Sequence, residues 1–317
     1  MVVVPLVLLL ISCLVLVVSG GSLVKLLIKI ASHLRLSDFV VSFIIMAFST
    51  SIPELFVGIN SALSGNPSLA LGTVIGSNIA DLTLVIGVAA LFGSGIIINN
   101  QIIIKDSILM FLAALTPIVL IVFDHNLSRI DGIILISIFV LYMGYLIKER
   151  REVTEKPFEV DKKNHIAINI LLFILCLGVL FISAHFVVIY ATQLAFELAL
   201  PIILVGLFLV AIGTSLPELV FEIHAVLAKR KDLAIGDAMG SVVCNSTLVL
   251  GITAVISPIT GGFSLFVISA IFMILTIILF VFFVRNKNGI SLAAAITLII
   301  LYVLFILCEY YFKSSIG

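Results

Sequence analysis

The stretch Ala47-Phe-Ser-Thr-Ser-Ile-Pro-Glu-Leu55 recurs 164 residues later as Ala211-Ile-Gly-Thr-Ser-Leu-Pro-Glu-Leu219, with six of nine positions identical. At the same offset, Gly72-Thr-Val-Ile-Gly-Ser-Asn-Ile-Ala-Asp-Leu-Thr-Leu-Val-Ile-Gly87 recurs as Gly236-Asp-Ala-Met-Gly-Ser-Val-Val-Cys-Asn-Ser-Thr-Leu-Val-Leu-Gly251, sharing seven of sixteen. Two hydrophobic segments matched by chance would share Leu, Ile and Val. Here the shared letters are mostly Gly, Ser, Thr, Pro and Glu, and no gap separates the two motifs, so the chain reads as an internal duplication.

Outward from the motifs the sequence is strongly apolar. Of 317 residues 62% are hydrophobic and only 11% charged, and mean hydropathy is +1.39, which excludes a soluble domain of ordinary composition. A span needs about 20 apolar residues. Gly, Pro and polar punctuation then predicts spans at 2–30, 38–64, 68–93, 102–123, 130–148, 166–196, 202–228, 233–256, 263–284 and 289–312. The expected architecture is an all-α membrane protein of ten transmembrane helices. The charge-rich stretch 148–163 divides these spans five and five. Residues 1–147 form the first repeat, 148–165 a cytoplasmic linker and 166–317 the second repeat. Segment 1–20 lacks a basic n-region and is read as a mature span rather than a signal peptide. Cys13, Cys176, Cys244 and Cys308 lie singly in apolar runs, without CxxC spacing, and read as small hydrophobes. A net charge of +0 and the lack of a basic patch argue against nucleic acid.

With the N-terminus outside, all but Arg129 and Lys313 of the 17 Lys and Arg fall in inside loops, as the positive-inside rule expects. Both termini then face out. An odd number of spans per half means that the second half enters the membrane the other way up, so the repeats are expected to be inverted.

Along the second span Thr50, Ser51 and Glu54 share one helical stripe with Ala47, and Ala211, Thr214, Ser215 and Glu218 repeat it. Pro53 and Pro217 cannot donate backbone hydrogen bonds, which frees the carbonyls of Ser49 and Gly213 and predicts broken helices at membrane depth. In the third span Thr73, Ser77 and Asp81 stand one turn apart, mirrored by Asp237, Ser241 and Asn245. Hydroxyls, carboxylates, an amide and carbonyls are hard oxygen donors suited to Ca2+ and Na+, with no soft set for copper or zinc. A carboxylate at the bilayer centre costs at least about 2.5 kcal/mol, and no Lys or Arg lies nearby in sequence, so a bound cation or proton is the expected partner.

The duplicated GTSLPE-like and GxxxGSN-like motifs resemble those of the sodium/calcium exchanger family within the cation/Ca2+ exchanger superfamily, and the resemblance covers essentially the whole chain. It implies two inverted five-helix repeats around one midplane site and a secondary antiporter that exchanges Ca2+ for Na+ by alternating access. The resemblance also implies the ligands: Ala47, Thr50, Ser51, Glu54, Ser77 and Asp81 from one half, and Ala211, Thr214, Ser215, Glu218, Ser241 and Asn245 from the other. The alanines would act through their carbonyls, and the glutamates would bridge the divalent ion. This sequence departs from the family pattern at Ser49, in the placement of acid and amide at Asp81 and Asn245, and at Asp237 and Glu222.

Each candidate has a plainer reading. Glu54 and Glu218 could be hydrogen-bonded buried acids, Asp81 and Asn245 polar glue between helices, and the Ser and Thr residues close packing. Asp237 and Glu222 are expected toward a cytoplasmic vestibule, solvated or salt-bridged, and His185 and His224 as satisfied core residues. Glu309, Glu197 and Asp106 are expected at water-exposed span ends. Competing functions are an H+/Ca2+ exchanger and a passive cation channel. Enzyme motifs are lacking: Gly236-Asp237 resembles half of a GxGD protease motif, but no HExxH or GxSxG occurs. No cofactor is expected beyond the transported ions, and the partners are Ca2+, Na+ or H+, and lipid. The short loops suggest a minimal plasma-membrane protein working as a monomer, in which the first and sixth spans slide against the rest.

Overall fold

The computed structural model describes residues 3–33, 50–98, 101–150, 166–198, 201–227, 229, 231–260, 263–286 and 289–314. Ala47, Ser49 and most of the charged linker lie outside the described residues.

Among the described residues the protein is all-α, apart from two very short strand pairs. Helix α1 (Val3–His33) is followed by α2 (Ile52–Leu63) and α3 (Pro67–Ala80), which continues through a π-helical turn into α4 (Ile86–Phe92). Strand β1 (Ile96–Ile97), α5 (Gln101–Asp124), β2 (Asn126–Leu127) and α6 (Arg129–Arg150) complete the first half. In the second half come α7 (Ile166–Glu197), then α8 (Ile202–Val205), a π-helical turn, α9 (Ala211–Thr214) and α10 (Leu216–Leu227). Helix α11 (Lys231–Val243) passes through another π-helical turn into α12 (Leu250–Ile256), followed by β3 (Ile259–Thr260), α13 (Phe263–Asn286), β4 (Gly289–Ile290) and α14 (Leu292–Ser314). Among the described residues, eight of the continuous or broken helices are long and apolar enough to cross a membrane, and Val3–Ser19 and Ile52–Leu63 are shorter apolar helices. Their outer faces expose Leu10, Leu14, Leu171, Leu175, Phe181 and Phe282, as a lipid-facing surface requires.

The motif-bearing helices occupy the centre. The most apolar windows of Pro67–Phe92 and Lys231–Ile256 are each 83% buried, against 17% for Ile166–Glu197. Close backbone approach explains the motif glycines. A Cβ on Gly72 would lie 2.1 Å from the Ile203 carbonyl oxygen, and one on Gly76 would lie 2.2 Å from that of Leu207. Gly206 meets the Leu69 carbonyl from the other side at 2.4 Å. Small residues thus let α3 and the α8–α9 segment touch through their backbones. At the periphery α1 packs along α7 through Leu9, Cys13 and Leu16 against Ala184, Val187, Val188 and Ala191.

Backbone features recur at the motif offset. Ser51 (φ −79°, ψ 1°) and Ser215 (φ −81°, ψ 2°) both depart from helical geometry just before α2 and α10 begin. Pro53 and Pro217 therefore stand in first turns, where a missing N–H costs little, rather than within continuous helices. Gly65 (φ 73°) and Lys229 (φ 62°) are left-handed at equivalent turns, donating their N–H to the Ala62 and Val226 carbonyls at 3.2 and 3.0 Å. Strand β1 pairs with β4 through Ile96 opposite Ile290, and β2 with β3 through Asn126 opposite Thr260. Exchanging the halves by the 164-residue offset maps one strand pair onto the other.

The cysteines are free. Cys13 and Cys244 are buried, and Cys176 and Cys308 half-buried.

Candidate cation site

The helix breaks place the carboxylates. Because α2 and α10 begin after Ser51 and Ser215, Glu54 and Glu218 fall in first turns, where unpaired peptide N–H groups favour negative charge. Asp81 opens the π-helical turn Asp81–Val85, and Asn245 lies in the turn Cys244–Val249. The extra residue of a π turn re-aims side chains that a regular helix would direct elsewhere.

Every described member of the predicted set is buried, none more than 2% exposed, and several meet across the two halves. Two hydroxyl pairs join the halves: Thr50 Oγ1 lies 3.1 Å from Ser241 Oγ, and its equivalent Thr214 Oγ1 lies 3.2 Å from Ser77 Oγ. Thr50 donates to Asp237 Oδ1 at 3.2 Å. Ser77 Oγ is also within reach of Glu54 Oε1 (3.3 Å) and of the Ala211 carbonyl oxygen (3.5 Å). That carbonyl also accepts the Ser215 N–H at 3.0 Å and the Thr214 hydroxyl at 3.2 Å from its own turn, so Ser77 is its one partner from the other half among the described residues. Asn78 Nδ2 donates to Ser246 Oγ at 2.8 Å, a further link between the halves.

Many oxygens remain open. Among the described residues, Glu54 Oε2 and both carboxylate oxygens of Glu218 are buried without a close hydrogen-bond partner, as are the Asn245 amide and the Ser51 hydroxyl, while the buried Asp81 carboxylate faces the Ser215 hydroxyl. No Lys, Arg or His is among the buried described side chains. Glu54, Asp81 and Glu218 lie within electrostatic reach of one another. Buried carboxylates that repel each other and lack donors are costly unless a cation joins them. No three His, Cys, Asp or Glu among the described residues form a tight metal-ligating group by themselves. The donors alternate carboxylate with hydroxyl, carbonyl and amide oxygen, a hard set of low charge density fitted to Ca2+ and Na+ rather than to zinc or copper.

Several expectations need correction. Glu222 and Asp237 do not line a solvated vestibule: they are 0% and 2% exposed and face Asp81, because the stripes Glu218–Glu222 and Asp237–Ser241–Asn245 point inward along their whole length. The i, i+4 spacing to predicted ligands was the signal for both. Asp106 and Glu309 are buried rather than water-exposed, Glu309 accepting from the Ser269 hydroxyl. His185 and His224 are exposed rather than core. Glu197 is half-buried and accepts from Gln193 Nε2 at 3.3 Å. Thr73 turns back to its own helix, donating to the Leu69 carbonyl at 2.9 Å.

A family model described as sodium/calcium exchanger protein matches residues 4–148 and 168–311. The putative antiporter CaxA of Alkalimonas amylolytica is 30% identical over 237 residues, 73% of this chain and 74% of that protein. The inner membrane protein YrbG of Escherichia coli is 29% identical over 79% of each chain. The sodium/calcium exchanger MaX1 of Methanosarcina acetivorans is 26% identical, with 98% of this chain and 100% of MaX1 covered. Solved structures of the sodium-calcium exchanger NCX_Mj share the fold. One superposes with a TM-score of 0.68 at 24% identity, covering 96% of this chain and 98% of its own. Another reaches 0.66 at 26%, covering 96% and 99%.

Proposed function

The chain belongs to the sodium/calcium exchanger family, and from that premise we propose that it is a secondary active antiporter exchanging Ca2+ for Na+ by alternating access. The observation that carries this reading is the enclosed centre itself, where carboxylate oxygens from both halves lack donors and no buried basic side chain among the described residues neutralises them. The ligands on this reading are Thr50, Ser51, Glu54, Ser77, Asp81, Thr214, Ser215, Glu218, Ser241 and Asn245, with the carbonyls of Ala47 and Ala211. Ten spans form two inverted repeats in a monomer of the plasma membrane with both termini outside. The offset correspondence of the helix breaks, turns and strand pairs supports that arrangement.

Coupling follows from charge. An empty site with several ionised carboxylates opposes the sliding of the apolar α1–α7 pair over it, since each charge left against hydrocarbon costs about 2.5 kcal/mol or more, whereas a Ca2+-filled or Na+-filled site is largely neutralised and lets the pair pass. Ca2+ and Na+ compete for the same oxygens, so one leaves when the other arrives. Any net charge moved is worth about 2.3 kcal/mol per 100 mV.

Glu222 and Asp237 raise the buried carboxylates at the centre to five with Glu54, Asp81 and Glu218, and this favours one second reading, in which H+ replaces Na+ as counter-ion. The passive channel finds no support among relatives named as antiporter and exchangers. 45Ca2+ uptake into proteoliposomes decides between the readings. An outward Na+ gradient is expected to drive uptake at a clamped pH. Uptake that follows only a pH gradient selects H+/Ca2+ exchange, and uptake that ignores both gradients defeats the antiporter.

A further inference from the structure

Far from the carboxylate centre, two grooves open on the outer surface on either side of α5. One, of about 650 Å³, lies between α5 and α6 and includes Lys105; the other, of about 590 Å³, lies between α5 and α13 and includes Arg285. Ile108, 38% exposed, borders both, so a single ridge of α5 separates them. Lys105 stands near the start of α5 and Arg285 in the last turn of α13. Strand β1, which precedes α5, pairs with β4, which follows α13. The two cations therefore stand at the same level of the membrane, and Arg285 shares its groove with Ile104, the chain neighbour of Lys105. Both basic side chains are exposed, and among the described residues no acidic side chain lines either groove. The first groove runs from Lys105 to Thr116, about 16 Å along the helix and close to half of a hydrocarbon core of about 30 Å.

We infer that this surface binds one anionic phospholipid, which straddles α5 with an acyl chain in each groove and its phosphate between Lys105 and Arg285. Two grooves that share one ridge match the two chains of a diacyl lipid, and the first is as long as one leaflet is deep. Long basic side chains lay their stems along apolar walls and carry their charge to the phosphate level. Two cations without an acid favour a headgroup of net negative charge over a zwitterionic one, whose amine gains nothing there. On the orientation proposed above, the site faces the cytoplasmic leaflet. It does not depend on which ions the chain exchanges.

The test is native mass spectrometry of the purified full chain in neutral detergent, with phosphatidylglycerol, phosphatidylcholine or single-chain lysophosphatidylglycerol added. The native chain is expected to retain one phosphatidylglycerol at least about tenfold more tightly than phosphatidylcholine, and more tightly than the single-chain lipid. K105Q and R285Q are each expected to weaken that retention about fivefold, the scale of one basic side chain near an anionic surface. K105R, which keeps the charge, retains the lipid. K25Q, which removes an exposed cation of α1 outside both grooves, leaves retention unchanged. Equal retention of phosphatidylglycerol and phosphatidylcholine, or an equal loss in K25Q, would leave only general charge attraction and overturn the site. Single-chain lipid held as tightly as phosphatidylglycerol would overturn the straddled pose. A loss in K105R as large as in K105Q would show that Lys105 shapes the groove rather than meeting the phosphate, and would overturn the assignment too.

Discussion

Glu54 and Glu218 are governed by the serines three residues before them. Ser51 and Ser215 both stand outside helical geometry, and each delivers a carboxylate to a fresh helix N-terminus inside the protein. This much is written in the sequence as the repeated Thr-Ser-x-Pro-Glu pattern. Glu222 and Asp237 are harder to read, because a helix face that runs from the membrane centre to its edge looks the same whether its outer turn is wet or packed. Only the burial of the neighbouring helices decides it. The hydroxyls separate in the same way. Thr50 and Thr214 bridge the halves, whereas Thr73 serves its own helix. Thr50→Val and Thr214→Val are each expected to weaken Ca2+ binding about fivefold, the scale of one hydrogen bond near 1 kcal/mol, and Thr73→Val to leave it unchanged. 45Ca2+ equilibrium dialysis checks all three, and an equal loss in Thr73→Val would contradict the assignment.

Between elements, backbone contact is the dominant device. Gly76 faces both the Leu207 carbonyl and the Ala211 Cβ, so a methyl group there pushes α3 off the segment that presents the Ala211 carbonyl. Gly76→Ala is expected to cost about 1–3 kcal/mol and to lower thermal stability in a fluorescence-detected melt. The turn after α10 shows the opposite case. Gly65 adopts the left-handed conformation without a side chain, but its equivalent Lys229 carries one at φ 62°. Lys229→Gly is expected to stabilise the protein by up to about 1 kcal/mol, since a non-glycine residue there is strained by roughly 1–2 kcal/mol. A lower melting temperature would contradict this. Most helix boundaries followed closely from Pro and Gly punctuation; the start expected at 38 lies outside the described residues, and the last helix begins at Leu292 after a strand rather than at 289. The π-helical turns did not, because an inserted residue leaves no mark in an apolar run of period 3.6. The pairing of β1 with β4 and of β2 with β3 was also hidden: two-residue strands carry no alternation to read.

At the scale of the whole molecule, the α1–α7 pair stands apart from the packed centre. Its helices bury little and meet the core along one side, chiefly through Val57, Leu69, Val205 and Val210. On the proposed mechanism this pair slides while the centre holds the ion. The structure supplies a lock for that motion, because a Cβ on Gly213 would lie 3.2 Å from both Cβ and Sγ of Cys13. Gly213→Cys is therefore expected to form a disulfide with Cys13 after a shift of a few tenths of an ångström, tying α1 to α9. Oxidation should stop 45Ca2+ flux and reduction restore it, with 45Ca2+ binding retained in both states; unimpaired flux in the oxidised variant would show that the pair does not move. The central claim, that the two halves share one ion, is tested most directly by 45Ca2+ binding to the native chain, Glu54→Gln, Glu218→Gln and the double variant. A shared site predicts that each single substitution loses nearly as much binding as both together, because either removes a carboxylate from the same ion. Additive losses, with half the bound Ca2+ surviving in each single variant, would mean two independent sites and would contradict the account.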